Sequence, residues 1–289
     1  MNYEIKNEHL KANINSLGAE LNSLQKRDKE LEYIWQGDSQ YWNRHSPILF
    51  PIVGRLKEDS YFYQNQKYRM SQHGFARDKE FELVTHETDF IEFRLCDDEK
   101  SLEIYPFSFE LYLSYELKKN QLIVAYKVVN KNLNTMLFSI GAHPAFNWTF
   151  KKDEKKEDYF LEFENIQKTK RYFLNNLGLI DKNETLEIVD NTMVLNEALF
   201  KNDALVFNDE NIKTLTLKNS KNETYVKINF ENFPYLGIWS KPNGAPFICI
   251  EPWFGVADDP NCSQKLEEKK GILSLLQNEV FSCFYTIEI

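Results

Sequence analysis

Residues 109 to 130 read FELYLSYELKKNQLIVAYKVVN, two runs of alternating apolar and polar side chains separated by a short Lys-Lys-Asn break. A period of two sends successive side chains to opposite faces, so each run is a strand with one face toward a core. The break carries turn chemistry and is too short for a crossover, which makes the two strands antiparallel neighbours. The pattern recurs along the chain. YEIKNEHLKANINSL places Ile5, Leu10, Ala12, Ile14 and Leu17 inward, and LTLKN, YVKINFENF, LGIWS, FICIEP and FSCFYTIEI follow. LKNSKNETY and SKPNGAPF read as further turns. Helical stretches are few and short, around Asp38 to Asn43 and Asn196 to Lys201. No repeat of fixed period and no linker rich in Gly, Ser or Pro divides the sequence. The expected fold class is all-β: antiparallel sheets packed face to face in a large β-sandwich, as a single domain over residues 1–289.

A core of that size needs apolar material, and 42% of the 289 residues are hydrophobic and 15% aromatic. The formal net charge of -9 comes with no compensating basic block, which argues against nucleic acid or an anionic membrane as partner. The amino terminus has no apolar leader, and no apolar run approaches the roughly 20 residues that span a bilayer. Cys96, Cys249, Cys262 and Cys283 are scattered without CxxC spacing, which fits a reduced, cytoplasmic setting. The five histidines form no HxH or HExxH arrangement, so spacing gives no metal site.

Chemistry-bearing residues gather at what look like strand ends. FICIEPWFG, residues 247 to 255, sets Glu251 among Ile248, Ile250, Trp253 and Phe254. Pro252 lacks a backbone donor, so the strand is expected to stop there and hold the carboxylate beside aromatic rings. A buried carboxylate either finds partners or has a raised pKa, and either suits a general base. The bland alternative is a strand-end glutamate bonded to nearby backbone. FSIGAHPAFNW repeats the design with His143 before Pro144, and histidine titrates near neutrality. A satisfied core histidine would read the same way. SQHGFARDKEF offers His73 before Gly74, and HSPILFPIVGRLK offers Arg55, whose fixed donors match hydroxyls or a carboxylate unless a structural ion pair consumes them. Asp203, between apolar positions in LFKNDALVFND, either accepts hydrogen bonds from a polyol or caps a short helix. With Phe75, Trp148 and Trp253 as candidate stacking platforms, these groups describe a pocket for a hydroxyl-rich ring.

In chain order, VGR, QHGFARD, GAHPAFNW, NDALVF and FICIEPWFGVAD resemble the aldose 1-epimerases, or galactose mutarotase-like proteins, over nearly the whole sequence. HGFARD and IEPWFGVAD are most similar to the LacX-like subgroup. The resemblance implies the mutarotase supersandwich, a small-molecule sugar substrate and no cofactor. It puts the catalytic base on Glu251, the catalytic acid on His143, and sugar contacts on Arg55, His73 and Asp203. The implied reaction interconverts α and β anomers: the base takes the C1 hydroxyl proton, the acid protonates the ring oxygen, and the ring opens and recloses. The two residues would then stand on opposite sides of the C1–O5 unit. Leu56-Lys57 after Gly54-Arg55, HGF without an extra glycine, and EPWFG without a nearby glutamine depart from many mutarotases and imply a changed substrate pocket. Two further functions remain open at this point. A hexose 6-phosphate substrate would need two or more Arg or Lys side chains brought together, and a non-catalytic sugar sensor would keep the pocket without the chemistry.

Overall fold

In the computed structural model, which describes every residue except Glu30 and Asn243, the strands Phe109–Lys118 and Gln121–Asn130 pair antiparallel from Phe109 opposite Asn130 to Lys118 opposite Gln121. Their burial alternates residue by residue, as the period of two requires. They lie within a nine-stranded antiparallel sheet. It continues through Val280–Glu288, Thr224–Asn229, Thr214–Asn219, Tyr159–Phe163 and Thr192–Val194 on one side, and through Phe90–Cys96 and Glu82–His86 on the other. A second antiparallel sheet runs in the order Ile180–Glu187, Lys168–Leu174, Leu205–Phe207, Tyr235–Trp239, Phe247–Phe254, Ile140–Ala142 and Ile48–Leu49. Ala145–Asn147 also pairs with Phe247–Phe254. One apolar cluster joins the two sheets, with Leu111, Val124 and Tyr285 from the first and Phe146, Ile248 and Ile250 from the second.

At the amino end, Ile5, Leu10, Ala12 and Ile14 are fully buried as expected, but Leu17 is 49% exposed. It lies past the end of the strand Leu10–Asn15, in the turn, where the alternation no longer applies. The helix expected at Asp38 to Asn43 is a turn, in which the Tyr41 and Trp42 amides both donate to the Asp38 carbonyl. Asn196 caps a single 3₁₀ turn, Glu197–Phe200, accepting from the Leu199 amide. The one α-helix among the described residues, Glu99–Ile104, follows a capping box between Asp98 and Ser101. No helix of the described residues is long and apolar enough to cross a membrane. The turn expected at SKPNGAPF includes Asn243, which lies outside the described residues.

The strand Phe247–Phe254 does not stop at Glu251. It runs through Pro252 with seven of its eight residues buried. The reason is a break in its neighbour. Ile140 and Gly141 pair with Phe254 and Trp253, and Ala145 to Asn147 pair with Cys249 to Phe247, while His143 and Pro144 interrupt the ladder between them. The Ile250 amide donates toward this side, to the Pro144 carbonyl. Two residues on, the Pro252 nitrogen faces the same side, where the neighbouring chain has left the ladder. The missing donor costs no pairing bond there.

A candidate active site on the outer face of the second sheet

Alternation along Phe247–Phe254 divides its side chains between two environments. Ile248 and Ile250 join the core between the sheets. Cys249, Glu251 and Trp253 point the other way: Glu251 and Trp253 line a cavity of about 360 Å³, and Cys249 is buried beside it against Trp35 and Phe247. The break in the neighbouring strand delivers His143 to the same place. Its Nε2 lies 3.1 Å from Glu251 Oε2, with both side chains at least nine-tenths buried. Residues 108 positions apart thus touch, because their strands are neighbours. They are in direct contact, so a pyranose meets both from the cavity side rather than sitting between them.

Other elements close the walls. The His73 amide donates to the Gly54 carbonyl, and the Gly54 amide donates to His73 Nδ1 at 3.1 Å. That second bond leaves the ring proton of neutral His73 on Nε2. Asp203 follows the 3₁₀ turn in a left-handed conformation (φ 69°), with Oδ1 accepting from the Ala204 amide. Trp253 lies flat across the sheet. A Cβ at Gly237 would stand 2.3 Å from its Cζ2, and one at Gly141 2.6 Å from its Cδ1, so both strands must approach the indole without a side chain.

Five of the residues expected from the sequence therefore line one cavity: His73, His143, Asp203, Glu251 and Trp253. Three do not. Arg55 turns away and binds Asp59 through Nε and Nη2, both at 2.8 Å, on a neighbouring surface recess. Phe75 packs in the core against Tyr105 and Phe109. Trp148 is buried against Phe200, its indole N–H donating to the Lys156 carbonyl. The aromatic walls come instead from Trp42 and Trp239. Trp42 stacks on the His143 ring (4.9 Å between centroids, 29° between planes), and Trp239 meets it edge-on at 5.8 Å. The cavity's guanidinium groups are Arg44 and Arg77. Arg77 stands inside the QHGFARD motif, while Trp42 and Arg44 come from a loop with no periodic pattern to mark them.

The sequence profile of the family described as aldose 1-epimerase matches residues 1–269. The chain belongs to the aldose 1-epimerase family. It is 33% identical to the plasmid-encoded protein LacX of Lactococcus lactis subsp. lactis, an alignment covering 100% of this chain and 99% of that one. Among solved structures, it superposes on a galactose mutarotase related enzyme from Lactobacillus acidophilus with a TM-score of 0.95 and 36% identity, covering 100% of this chain and 97% of the other. A galactose mutarotase-like protein from Lactobacillus casei ATCC 334 gives 0.92 and 31%, covering 100% and 99%. The supersandwich of this family is thus the fold of the chain.

Within this aldose 1-epimerase fold the electrostatics of the pair are unusual. Burial, and then the Asp203 carboxylate, push Glu251 well above the ordinary carboxylate range, against a smaller opposing pull from the Trp253 indole. Burial, then Arg77 and Arg44, press His143 down to about 3. Both shifts favour the uncharged forms, Glu251 as the carboxylic acid and His143 as the neutral imidazole. The ionised arrangement, Glu251 carboxylate with His143 imidazolium, contains the same number of protons. The two differ by a single transfer across 3.1 Å.

Proposed function

We propose that the chain is an aldose 1-epimerase acting through Glu251 and His143. The single observation that carries this reading is their contact in the cavity wall. The exocyclic O1 and ring O5 share one carbon and lie closer together than hydrogen-bonded atoms do. A proton acceptor and a donor side by side can therefore address both at once. Glu251 takes the O1 proton while His143 gives its proton to O5, and the C1–O5 bond opens to the aldehyde. Rotation about C1–C2 presents the other face, and the reverse transfers close the ring. Opening converts the pair from its ionised to its neutral form. Burial favours the neutral form, so the site stabilises the proton arrangement that accompanies the open chain. His73 Nε2–H and the Asp203 carboxylate supply a donor and an acceptor for ring hydroxyls, and Trp42, Trp239 and Trp253 supply apolar faces. A volume of about 360 Å³ falls in the range of about 300–1,000 Å³ common for small-molecule sites.

Polarimetry on freshly dissolved α-glucose and α-galactose tests the reading. Glu251→Gln and His143→Asn should each slow catalysed mutarotation about 10²–10⁴-fold with the fold intact. Near-normal turnover in either variant removes that residue from the mechanism. Sugar binding without any acceleration by the parent protein makes it a sensor instead.

One observation favours a second reading, an anionic aldose such as a hexose 6-phosphate. Arg44 and Arg77 both line the cavity and share one carboxylate, Asp78, which lies 2.8 Å from Arg44 Nη2 and 3.9 Å from Arg77 Nε. Burial and Arg44 lower Arg77 to about 10, the mark of a cation short of compensating charge. A phosphate would supply it. Assaying free sugars beside their 6-phosphates decides the matter. Arg77→Gln should raise KM for the phosphate at least tenfold and leave the free sugar little changed; equal effects on both, or no preference in the parent, defeat the second reading.

A further inference from the structure

We propose that His143, Cys249 and Glu251 form a three-ligand site for a soft divalent cation, Zn²⁺ by its donor set, in the wall of the cavity that His143 and Glu251 line. Their ligand atoms, one nitrogen, one sulfur and one oxygen, all lie within 4.8 Å of one another, and all three residues are buried. Cys249 and Glu251 stand two positions apart on one strand and face the same side. His143 enters from the break in the neighbouring strand, two residues before Ala145, which pairs with Cys249. A strand pair thus presents the donors as a facial set from two rigid elements, the placement that gives metal sites their precision.

The geometry and the charge both suit Zn²⁺. Bonds of about 2.0–2.3 Å from a tetrahedral zinc put neighbouring donors about 3.3–3.6 Å apart. The His143–Glu251 edge is already 3.1 Å, and the remaining separations, within 4.8 Å, need to contract by up to about 1.5 Å. The thiolate excludes Mg²⁺ and Ca²⁺, which take oxygen donors. Zn²⁺ with one thiolate, one carboxylate and one neutral imidazole carries no net charge, the condition a buried site tolerates best. His143 Nδ1 and Trp253 Nε1 have no hydrogen-bond partner among the described residues, and Glu251 Oε2 has only its 3.1 Å contact with His143 Nε2. Ligation would engage the carboxylate oxygen and give the indole N–H an anionic oxygen to donate to. Three metal–donor bonds form, and the thiol proton together with the proton shared by Glu251 and His143 passes to solvent. The ion then stands where the sugar's O1 and O5 would be addressed, so metal and sugar compete for the pair.

The test reads binding without relying on turnover. Chelator-treated protein is titrated with Cd²⁺, followed by calorimetry and by the thiolate-to-cadmium absorption in the near ultraviolet, and then with Zn²⁺ by calorimetry. One ion per chain with a thiolate band is expected. Cys249→Ala should abolish the band and weaken Cd²⁺ binding at least tenfold, and a saturating sugar should weaken it in the parent. Absence of the band from the parent, or its persistence in Cys249→Ala, overturns the site. Should Cys249→Ala fail to fold, Glu251→Gln replaces it: at least tenfold weaker binding supports the site, and unchanged affinity refutes it. Failure here leaves the epimerase reading standing, and loss of that reading leaves cation binding measurable.

Discussion

At the scale of single residues, the proposed mechanism makes Glu251 and His143, 3.1 Å apart, one titrating unit. Activity requires that the pair hold one proton, whichever partner carries it. As pH falls, a second proton must enter, and it meets His143, which burial and Arg77 hold down to about 3. As pH rises, the one proton must leave Glu251, whose pKa burial and Asp203 hold well above the carboxylate range. The pH–rate profile should therefore show a broad plateau across neutrality, in place of a narrow bell between ordinary carboxylate and imidazole values. Asp203→Asn removes a negative neighbour, so Glu251 ionises more easily and the alkaline limb moves to lower pH. The acid limb should stay in place, since Asp203 is not among the causes of the His143 shift. A profile whose alkaline limb ignores the substitution would show that Asp203 does not act on Glu251. Much of this unit was legible in the sequence, because an ionisable residue before proline inside an aromatic apolar run is uncommon in a plain strand. The direction of a side chain was not. The sequence marks Arg55 for a substrate and not Arg77, yet Arg55 is consumed by Asp59, four residues on, while Arg77 lines the cavity.

At the scale of elements, the site depends on one strand being interrupted while its neighbour continues. Alternation in Phe247–Phe254 was readable and assigns Glu251 and Trp253 to one face. The continuation through Pro252 was not readable, because it depends on what the adjacent chain does at His143 and Pro144. The short helix at Glu99–Ile104 escaped for a related reason: six residues are too few to establish a helical period, although Asp98 and Ser101 carry its capping signal. The glycines beside Trp253 give the element-level argument a test. Gly237→Ala would put a methyl group 2.3 Å from the indole Cζ2, and the indole has Gly141 on the strand beyond it. Overpacking of this kind costs about 1–3 kcal/mol. Urea denaturation should show that loss, and the displaced indole should raise KM. A variant as stable and as active as the parent would mean that the ring has room to move, contrary to the packing described.

At the scale of the whole molecule, the cavity wall is tied to distant parts of the chain through one buried ion pair. Lys269 Nζ lies 3.0 Å from Asp258 Oδ1 and donates to the Val256 carbonyl, with both side chains almost wholly buried. Asp258 Oδ2 accepts from the Lys57 amide, its own amide donates to the Arg55 carbonyl, and its carbonyl accepts from Ile180. One aspartate thus fixes the segments that carry Gly54, Gly178, Val256 and Ala257, all of which line the cavity. No periodicity marks such a hub, since its partners are up to 201 positions away. Removing half of a buried pair leaves the other charge without a partner, and costs about 3–5 kcal/mol. Asp258→Ala should lower the unfolding free energy by about that amount. Lys269→Met in the same background should recover part of it, because the stranded ammonium is gone while the backbone bonds of residue 258 remain. If the double variant is no more stable than Asp258→Ala, the loss comes from the Lys57 amide and not from the unpaired lysine. A wall held in this way also predicts the kinetic signature: KM should rise in Asp258→Ala more than kcat falls, since His143 and Glu251 are positioned by strands that the substitution does not touch.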